Sequence, residues 1–142
     1  MFKKVCIIGC GLIGSSLARA IKKHNLSEKI VSSNRSDIVN KKVLELKIVD
    51  DSSSDTPKMV YDSDLIIIAT PLSSYENVIL KIKNSLTNEM ILTDVGSVKE
   101  SVIGLVEKAI PKDISWIPSH PIAGTEESGP EAGFSELFKN RW

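Results

Sequence analysis

His120 is the side chain in this sequence best suited to move a proton. It is one of two histidines, and it stands in Ser119-His120-Pro121, directly after a predicted strand. Imidazole exchanges protons near neutral pH, so a histidine at the carboxyl end of a strand is placed to act as a general base on a bound ligand. Its position alone equally allows a structural histidine that bonds loop backbone. His24 follows two lysines at a predicted helix end and is expected to be a solvated surface residue.

Ser97 is the second candidate for chemistry, at the end of the turn Asp94-Val95-Gly96-Ser97. A serine at the start of a helix ordinarily caps free N–H groups, and that role is open to Ser97. The turn is also expected beside the His120 segment, where the hydroxyl would bond the imidazole or a substrate. Lys99 is predicted to be an exposed helix lysine rather than a ligand for a carboxylate. Asp94 has no basic neighbour in sequence that would make it a nucleophile.

Three glycines near the start of the chain are spaced G-x-G-x-x-G, with Leu12 and Ile13 between the second and the third. They follow a short apolar run and open an amphipathic one, which is the context of a dinucleotide-binding turn. Gly9 allows the tight turn out of the strand, and Gly11 lets backbone approach a pyrophosphate. Gly14 lets the helix pack close to the sheet with its N-terminus aimed at the phosphates. The pattern predicts dinucleotide binding.

Asn34, Arg35 and Ser36 indicate which dinucleotide binds. NAD-binding domains usually carry Asp or Glu about 20 residues past the glycines, to bond the ribose 2′-hydroxyl. Asn34 takes that place here. Asn does not repel a 2′-phosphate, and the neighbouring guanidinium and hydroxyl attract one, so the segment favours NADP. The alternative is NAD, with Asn34 bonding the 2′-hydroxyl and Arg35 as a solvated loop residue.

The elements that position these residues alternate between apolar strand-like runs and amphipathic helix-like runs. Predicted strands are Val5–Ile8, Lys29–Ser33, Ile48–Val49, Asp64–Ala69, Met90–Thr93 and Ile114–Pro118. Predicted helices are Ser15–Lys23, Ile38–Lys47, Ser73–Ser85, Val98–Ile110 and a short one at Ser135–Leu137, with a loop at Asp50–Thr56. This alternation predicts an α/β fold built on a doubly wound parallel sheet.

Polar segments fall where the predicted strands end. They are Gly9–Gly14, Asn34–Ser36, Thr70–Ser74, Asp94–Lys99 and Ser119–Gly129. In doubly wound sheets ligands bind beyond the carboxyl ends of the strands. The residues predicted to join the glycine turn in binding the dinucleotide are therefore Ala69, Thr70, Pro71, Val95 and Gly96.

Composition narrows the range of functions. The chain has 142 residues, enough for one compact domain. Lys plus Arg equals Asp plus Glu at 18 each, so no net charge favours nucleic acid or an anionic membrane; no apolar run reaches the length of a membrane span. Cys6 and Cys10 lack C-x-x-C spacing, and no His, Cys and Asp cluster has metal-ligand spacing, so no metal is predicted. A cytoplasmic protein is expected.

Three motifs together resemble the prephenate/arogenate dehydrogenase family of tyrosine biosynthesis. They are Gly9–Ala18, Thr93–Lys99 and Ser119–Pro130, and the ending Gly133–Trp142 fits as well. The first motif is shared with many dehydrogenases, whereas the second and third are specific to this family. The resemblance covers the whole chain and implies a Rossmann-type dinucleotide-binding domain.

The resemblance implies an oxidative decarboxylation of prephenate or arogenate, giving 4-hydroxyphenylpyruvate or tyrosine. It implies that His120 takes the proton of the ring hydroxyl while hydride leaves the same carbon for NAD(P)+, and that the ring becomes aromatic as CO2 departs. It also implies that Ser97 orients the histidine and the hydroxyl. Thr125 and Glu126 match residues that line or gate the substrate pocket.

The family continues into a helical C-terminal domain that forms a homodimer and supplies an arginine for the substrate carboxylate. That domain is absent from this sequence, and Arg141 is not expected to replace the arginine. The sequence is thus expected to be part of a longer enzyme, with residues 1–142 inactive alone. Asn34 departs from the Asp common in NAD-preferring members, and the sequence does not separate prephenate from arogenate.

Two other functions are consistent with the glycine motif. One is a non-catalytic dinucleotide-binding or redox-sensing module, against which His120 and the Ser97 turn argue, because a sensor needs neither. The other is a different NADP-dependent hydroxyacid dehydrogenase of similar fold. Asn34-Arg35-Ser36 is similar to the enzymes related to 6-phosphogluconate dehydrogenase, but those lack the His120 segment and use a lysine beyond this chain.

Overall fold

Six parallel strands form one sheet in the computed structural model, which describes residues 1–141. The strands are β1 (Phe2–Ile8), β2 (Ser27–Ser33), β3 (Asp51–Ser53), β4 (Leu65–Ile68), β5 (Ile91–Asp94) and β6 (Ser115–Ile117). The helices are α1 (Leu12–Lys23), α2 (Asp37–Glu45), α3 (Thr56–Val60), α4 (Tyr75–Ile82) and α5 (Lys99–Ala109). Across the sheet the order is β3-β2-β1-β4-β5-β6. This confirms the doubly wound parallel sheet.

The middle of the sheet consists of apolar runs that are closed to water. Residues 6–8 of β1 pair in register with residues 66–68 of β4, and all six side chains are at most 5% exposed. Successive side chains of a strand point to opposite faces. An unbroken apolar run is therefore stable only where both faces are covered.

Helices cover both faces of the sheet. On one face α1 and α2 pack against Val5 and Ile7 of β1. On the other face α3, α4 and α5 pack against Cys6 and Ile8. The alternation along β1 thus divides the core into two layers, one on each side of the sheet. Within residues 1–141, no helix has the length and apolar character needed to cross a membrane.

The third strand lies three residues later than the sequence predicts. The predicted strand Ile48–Val49 is wrong: both side chains are buried in the core beside α1 and α2, but the chain pairs with β2 only from Asp51 onward. Asp50 links the buried pair to the start of β3, and its N–H donates to the carbonyl of Ile30 in β2 at 2.7 Å. Burial of the apolar pair produced the strand-like signal without any sheet pairing.

Two further differences concern short elements. The predicted loop Asp50–Thr56 is wrong, since it contains β3 and the first residue of α3. The N-cap of α3 is Asp55, whose side chain accepts a hydrogen bond from the N–H of Lys58 at 3.2 Å. The predicted short helix at Ser135–Leu137 is also wrong, because that stretch forms turns. A 3-10 turn occurs earlier instead, at Pro130–Ala132.

Residues 129–141 cross the outer side of α1. Gly133 lies so close to the helix that a Cβ on it would be 2.1 Å from the Oγ of Ser15. The N–H of Phe134 donates to the Oγ of Ser16 at 3.1 Å. Small residues on α1 therefore allow this segment to lie directly on the helix, and its end reaches the edge of the sheet where the strands terminate.

Candidate active site

The turn that follows β1 is shaped by two glycines in backbone contact. Gly9 has a φ of +95°, and a Cβ on it would lie 2.8 Å from the carbonyl oxygen of Ala69. A Cβ on Gly14 would lie 2.0 Å from the carbonyl oxygen of Gly9. Only glycine fits at either position, so the first turn of α1 is locked against the ends of β1 and β4.

Gly11 faces open space. No protein atom lies within 4 Å of the position that its Cβ would take, and it is the N-cap of α1. The helix has no side-chain cap and no acidic residue in its first turn, so the positive end of α1 is open to an anion. A pyrophosphate fits this arrangement, with Leu12 and Ile13 forming the half-buried first turn beside it.

The chain just after β4 places a buried hydroxyl next to the glycine turn. Within the described part of the chain, the Oγ1 of Thr70 is buried and has no hydrogen-bond partner. Its Cγ2 lies 2.9 Å from the position of a Cβ on Gly9, so Thr70 borders the glycine turn. A buried hydroxyl without a partner is unfavourable, and a ligand that bonds it would remove that penalty. Ala69 and Pro71 flank it, the first half-buried and the second exposed.

Asn34, directly after β2, turns its side chain inward, where it is hydrogen-bonded to other residues of the protein. Its Oδ1 accepts a hydrogen bond from the N–H of Cys10 at 2.6 Å, and its Nδ2 donates to the Oδ1 of Asn40 at 3.0 Å. Asn40 in turn donates to the carbonyl of Asn34 at 3.0 Å. Asn34 is 7% exposed. The amide therefore braces the glycine turn from behind.

Arg35 and Ser36 are exposed directly after this buried asparagine. Ser36 is the N-cap of α2, but its hydroxyl makes no capping bond. The guanidinium and the hydroxyl therefore face solvent at the end of β2, where the ribose of a dinucleotide lies in sheets of this kind.

A cavity of about 420 Å³ lies beside the ends of β4, β5 and β6. Its size is within the range of small-molecule sites. Its lining residues are Leu17, Ile67, Thr93, Asp94, Val95, Ser119, His120, Pro121, Phe138 and Arg141. His120 is thus brought to a cavity at the carboxyl edge of the sheet, as the sequence predicts. Phe138 and Arg141, from the segment that crosses α1, form a wall that sequence reasoning missed.

Asp94 binds four groups at the end of β5, and its side chain is 0% exposed. Its Oδ2 accepts hydrogen bonds from the N–H of Gly96 at 2.8 Å and from the hydroxyl of Tyr75 at 3.1 Å. Its Oδ1 accepts one from the N–H of Ser119 at 3.1 Å. The Nζ of Lys99 lies 2.6 Å from both oxygens. Burial, and next the charge of Asp94, raise the pKa of Tyr75, so the phenol remains a donor.

Lys99 and Ser97 occupy places that differ from their expected ones. Lys99 is not an exposed helix lysine: it is the first residue of α5, and it is ion-paired with Asp94 with its side chain 27% exposed. Ser97 does not cap that helix, because the N-cap is Val98 and no side chain caps it. Ser97 is exposed, and its neighbour Gly96 is buried. A Cβ on Gly96 would lie 2.9 Å from the Oδ2 of Asp94.

Thr125 and Glu126 are exposed and do not line the cavity. The hydroxyl of Thr125 accepts a hydrogen bond from the N–H of Glu127 at 3.2 Å, so it stabilises a local turn. A second groove of about 450 Å³, between α1 and residues 133–136, contains none of the predicted site residues. No cluster of metal-ligand side chains is found in the part of the chain that the structure describes.

Comparison with known proteins identifies the family of the chain. Residues 17–142 match the family described as prephenate dehydrogenase, nucleotide-binding domain. The chain is 38% identical over 140 residues to the cyclohexadienyl dehydrogenase of Zymomonas mobilis. The aligned region covers 99% of this chain and 47% of that enzyme.

Two solved structures have the same fold. The prephenate dehydrogenase of Aquifex aeolicus, in complex with hydroxyphenyl propionate and NAD+, superposes with a TM-score of 0.92 at 26% identity, covering 99% of this chain and 49% of that one. The arogenate dehydrogenase of Synechocystis superposes with a TM-score of 0.87 at 27% identity, covering 97% and 48%. The chain thus spans about half the length of these relatives. It belongs to the prephenate dehydrogenase family, whose nucleotide-binding domain it contains.

Proposed function

We propose that this protein catalyses the oxidative decarboxylation of prephenate or arogenate with NAD(P)+, in tyrosine biosynthesis. The observation that carries the proposal is the position of His120, which lines a cavity with Val95 at the edge of the sheet where the glycine turn also lies. Relatives named for each substrate support the reaction class and leave both substrates open.

His120 is the general base of the proposed mechanism. It takes the proton of the ring hydroxyl while the hydrogen on the same carbon leaves as hydride, so that this carbon becomes a carbonyl. The bond to the ring carboxylate then breaks, CO2 leaves, and the electron pair makes the ring aromatic. His120 returns the proton to the resulting phenolate, which balances the reaction. Ser97 orients the imidazole and the hydroxyl. Thr125 and Glu126 do not line the cavity, so of the two roles that the resemblance implies, gating of the substrate pocket is the one proposed for them.

NAD(P)+ would supply the hydride acceptor. The residues that would hold it are the ones whose geometry fits a dinucleotide: Gly9, Gly11 and Gly14 at the phosphates, and Thr70 through its buried hydroxyl. Leu12, Ile13, Ala69, Pro71, Val95 and Gly96 would complete the contact surface. The open N-terminus of α1 favours the negative charge of a pyrophosphate.

NADP is the proposed preference over NAD. The side chain of Asn34 is used by Cys10 and Asn40, so the exposed groups at the 2′ position are those of Arg35 and Ser36. A guanidinium and a hydroxyl attract the 2′-phosphate of NADP. With NAD, which has a 2′-hydroxyl instead, they would lack that partner. KM values for the two cofactors decide this, and a lower KM for NAD+ would contradict it.

The reaction is tested by following NAD(P)H absorbance with the full-length protein, each substrate and each cofactor. His120→Asn keeps much of the shape and removes the base, so kcat should fall by about 100-fold or more with cofactor binding retained. His24→Asn is the matched control, because His24 is exposed at the end of α1, and it should leave kcat unchanged. Equal kcat values for the two variants would contradict the role of His120.

We also propose that the full-length protein is a cytoplasmic homodimer. The family resemblance implies dimer contacts in a further helical domain, and the relatives are about twice as long as this chain. Ile117 and Ile122 are 51% and 64% exposed, which leaves apolar surface for such packing. Use of the cellular NAD(P)+ pool supports the location. Sedimentation of the full-length protein should give twice the subunit mass, and a monomer would contradict the proposal.

A further inference from the structure

The two segments that carry the proposed catalytic side chains are attached to the same carboxylate. Gly96 directly precedes Ser97, and its N–H donates to the Oδ2 of Asp94 at 2.8 Å. Ser119 directly precedes His120, and its N–H donates to the Oδ1 of Asp94 at 3.1 Å. The segments are 23 residues apart in sequence, and each is exposed on its outer side.

We propose that Asp94 is the positioning residue of the proposed reaction, and that its ionised carboxylate sets the Ser97 and His120 segments relative to each other. This inference rests on the proposed function. The side chain of Asp94 is 0% exposed although the residue borders the cavity, so in this role it touches neither substrate nor cofactor. It acts through two backbone N–H groups, one on each segment, so the relation between base and orienting hydroxyl depends on one side chain.

The surroundings of Asp94 suit an ionised carboxylate, which the two bonds to the segments require. Two backbone donors and the hydroxyl of Tyr75 converge on its oxygens, and a carboxylate is the side chain that accepts on both of its oxygens at once. A buried carboxylate is costly without a cation, and Lys99 supplies one from the first turn of α5. The groups that face Asp94 are therefore Lys99 from α5, Tyr75 from α4, and the N–H groups of Gly96 and Ser119.

Replacing the carboxylate by an amide breaks this symmetry. In Asp94→Asn the shape is kept, but the NH2 group meets either the N–H of Gly96 or that of Ser119, and donors do not bond donors. One segment is therefore released, whichever way the amide turns. Because a displacement of about 1 Å in a catalytic group costs on the order of 100-fold in rate, the variant should lose that much kcat with the substrate KM changed much less.

Two further variants of the full-length protein separate positioning from stability. Tyr75→Phe removes one donor to Asp94 but keeps both backbone N–H bonds to the carboxylate, so it should lower the melting temperature and keep kcat within about twofold of the parent. Lys99→Met leaves the buried carboxylate without its cation, so it should also lower the melting temperature. Both backbone N–H bonds to Asp94 remain in this variant, so its kcat should fall far less than that of Asp94→Asn.

Amide hydrogen exchange provides a readout that does not depend on turnover. In Asp94→Asn the exchange of Gly96 or Ser119 should accelerate at least about tenfold beyond the change in the strand interiors, while Tyr75→Phe leaves the exchange of Ser119 close to that of the parent. Unchanged exchange at both amides, or a parent-like kcat for Asp94→Asn, would overturn the inference. If the unsubstituted protein turns over neither substrate, the proposed function and the catalytic part of this inference are overturned. Amide exchange would still decide whether Asp94 holds both segments.

Discussion

The carbonyl oxygen of Gly9 would lie 2.0 Å from a Cβ on Gly14, so the turn after β1 and the first turn of α1 are in backbone contact. Gly14→Ala must therefore displace the helix from the sheet. We expect the free energy of unfolding to fall by about 2 kcal/mol or more, as for other overpacked sites, and cofactor binding to fall with it. Gly11→Ala is the matched control, because its Cβ meets open space: it should lose at most about 1 kcal/mol of stability, since alanine is a poorer N-cap than glycine, and weaken NAD(P)H binding. Equal losses of stability in urea titrations would contradict this contrast.

Gly104 should be replaceable with a gain in stability. It lies inside α5, and no atom comes within 4 Å of the position of its Cβ. Gly104→Ala reduces the entropy that the unfolded chain loses on folding, so the free energy of unfolding should rise by about 0.5 to 1 kcal/mol. A thermal melt of the variant beside the parent measures the gain, and a lower melting temperature would show that the helix needs glycine there.

Asn34 and Arg35 should separate stability from cofactor choice. Asn34→Ala leaves the buried N–H of Cys10 without its acceptor, so the free energy of unfolding should fall by about 1 to 3 kcal/mol. The ratio of KM values for NADP+ and NAD+ should stay close to that of the parent. Arg35→Ala should do the reverse: it is exposed, so stability is kept while the KM for NADP+ rises. A large change of the ratio in Asn34→Ala would place the amide at the cofactor.

The two thiols should make the protein less stable at alkaline pH. Burial raises the pKa of Cys10 to about 11 and that of Cys6 to about 12 from the ordinary value of 9.0. Above that ordinary value the unfolded chain releases thiol protons that the folded chain keeps. The free energy of unfolding therefore falls as pH rises from 9 towards 11, by up to about 1.4 kcal/mol per pH unit for each thiol, and is unaffected by them at pH 7.

Urea unfolding at pH 8 and at pH 10 measures this slope. Cys10→Ala lacks one of the titrating groups, so its loss of stability between the two pH values should be smaller than that of the parent. Identical losses would show that other groups cause the alkaline instability.

The strands and long helices of this fold could be predicted because their signals are local. The apolar run of β4 and the glycine spacing before α1 require no knowledge of distant partners. β3 was misplaced because Asp51–Ser53 is a polar edge strand, stabilised by pairing with β2 and by the bond between the hydroxyls of Ser32 and Ser52 at 2.7 Å. α3 was missed because five residues give too short a period to detect, although its Asp55 cap was visible in the sequence.

Within the candidate site, the residue types were predictable and their connections were not. The sequence places His120 after a strand and Arg35 after another, and the structure agrees. It gives no sign that Asp94 bonds Ser119, which comes 25 residues later. Nor does it indicate that Asn34 turns inward to Cys10, 24 residues earlier. Such bonds depend on which strand ends lie side by side, and that follows only from the strand order.

The strand order also sets the sequence of events during synthesis. β1 is made first but lies between β2 and β4, and Val5 pairs with Leu65, about sixty residues further on. At ordinary translation speeds of 5–20 residues per second, one edge of β1 stays unpaired for about 3 to 12 seconds after it is synthesised. The buried apolar half of β1, residues 5–8, thus stays exposed to other nascent chains along that edge for the interval, and chaperones that bind extended apolar segments are expected to act there.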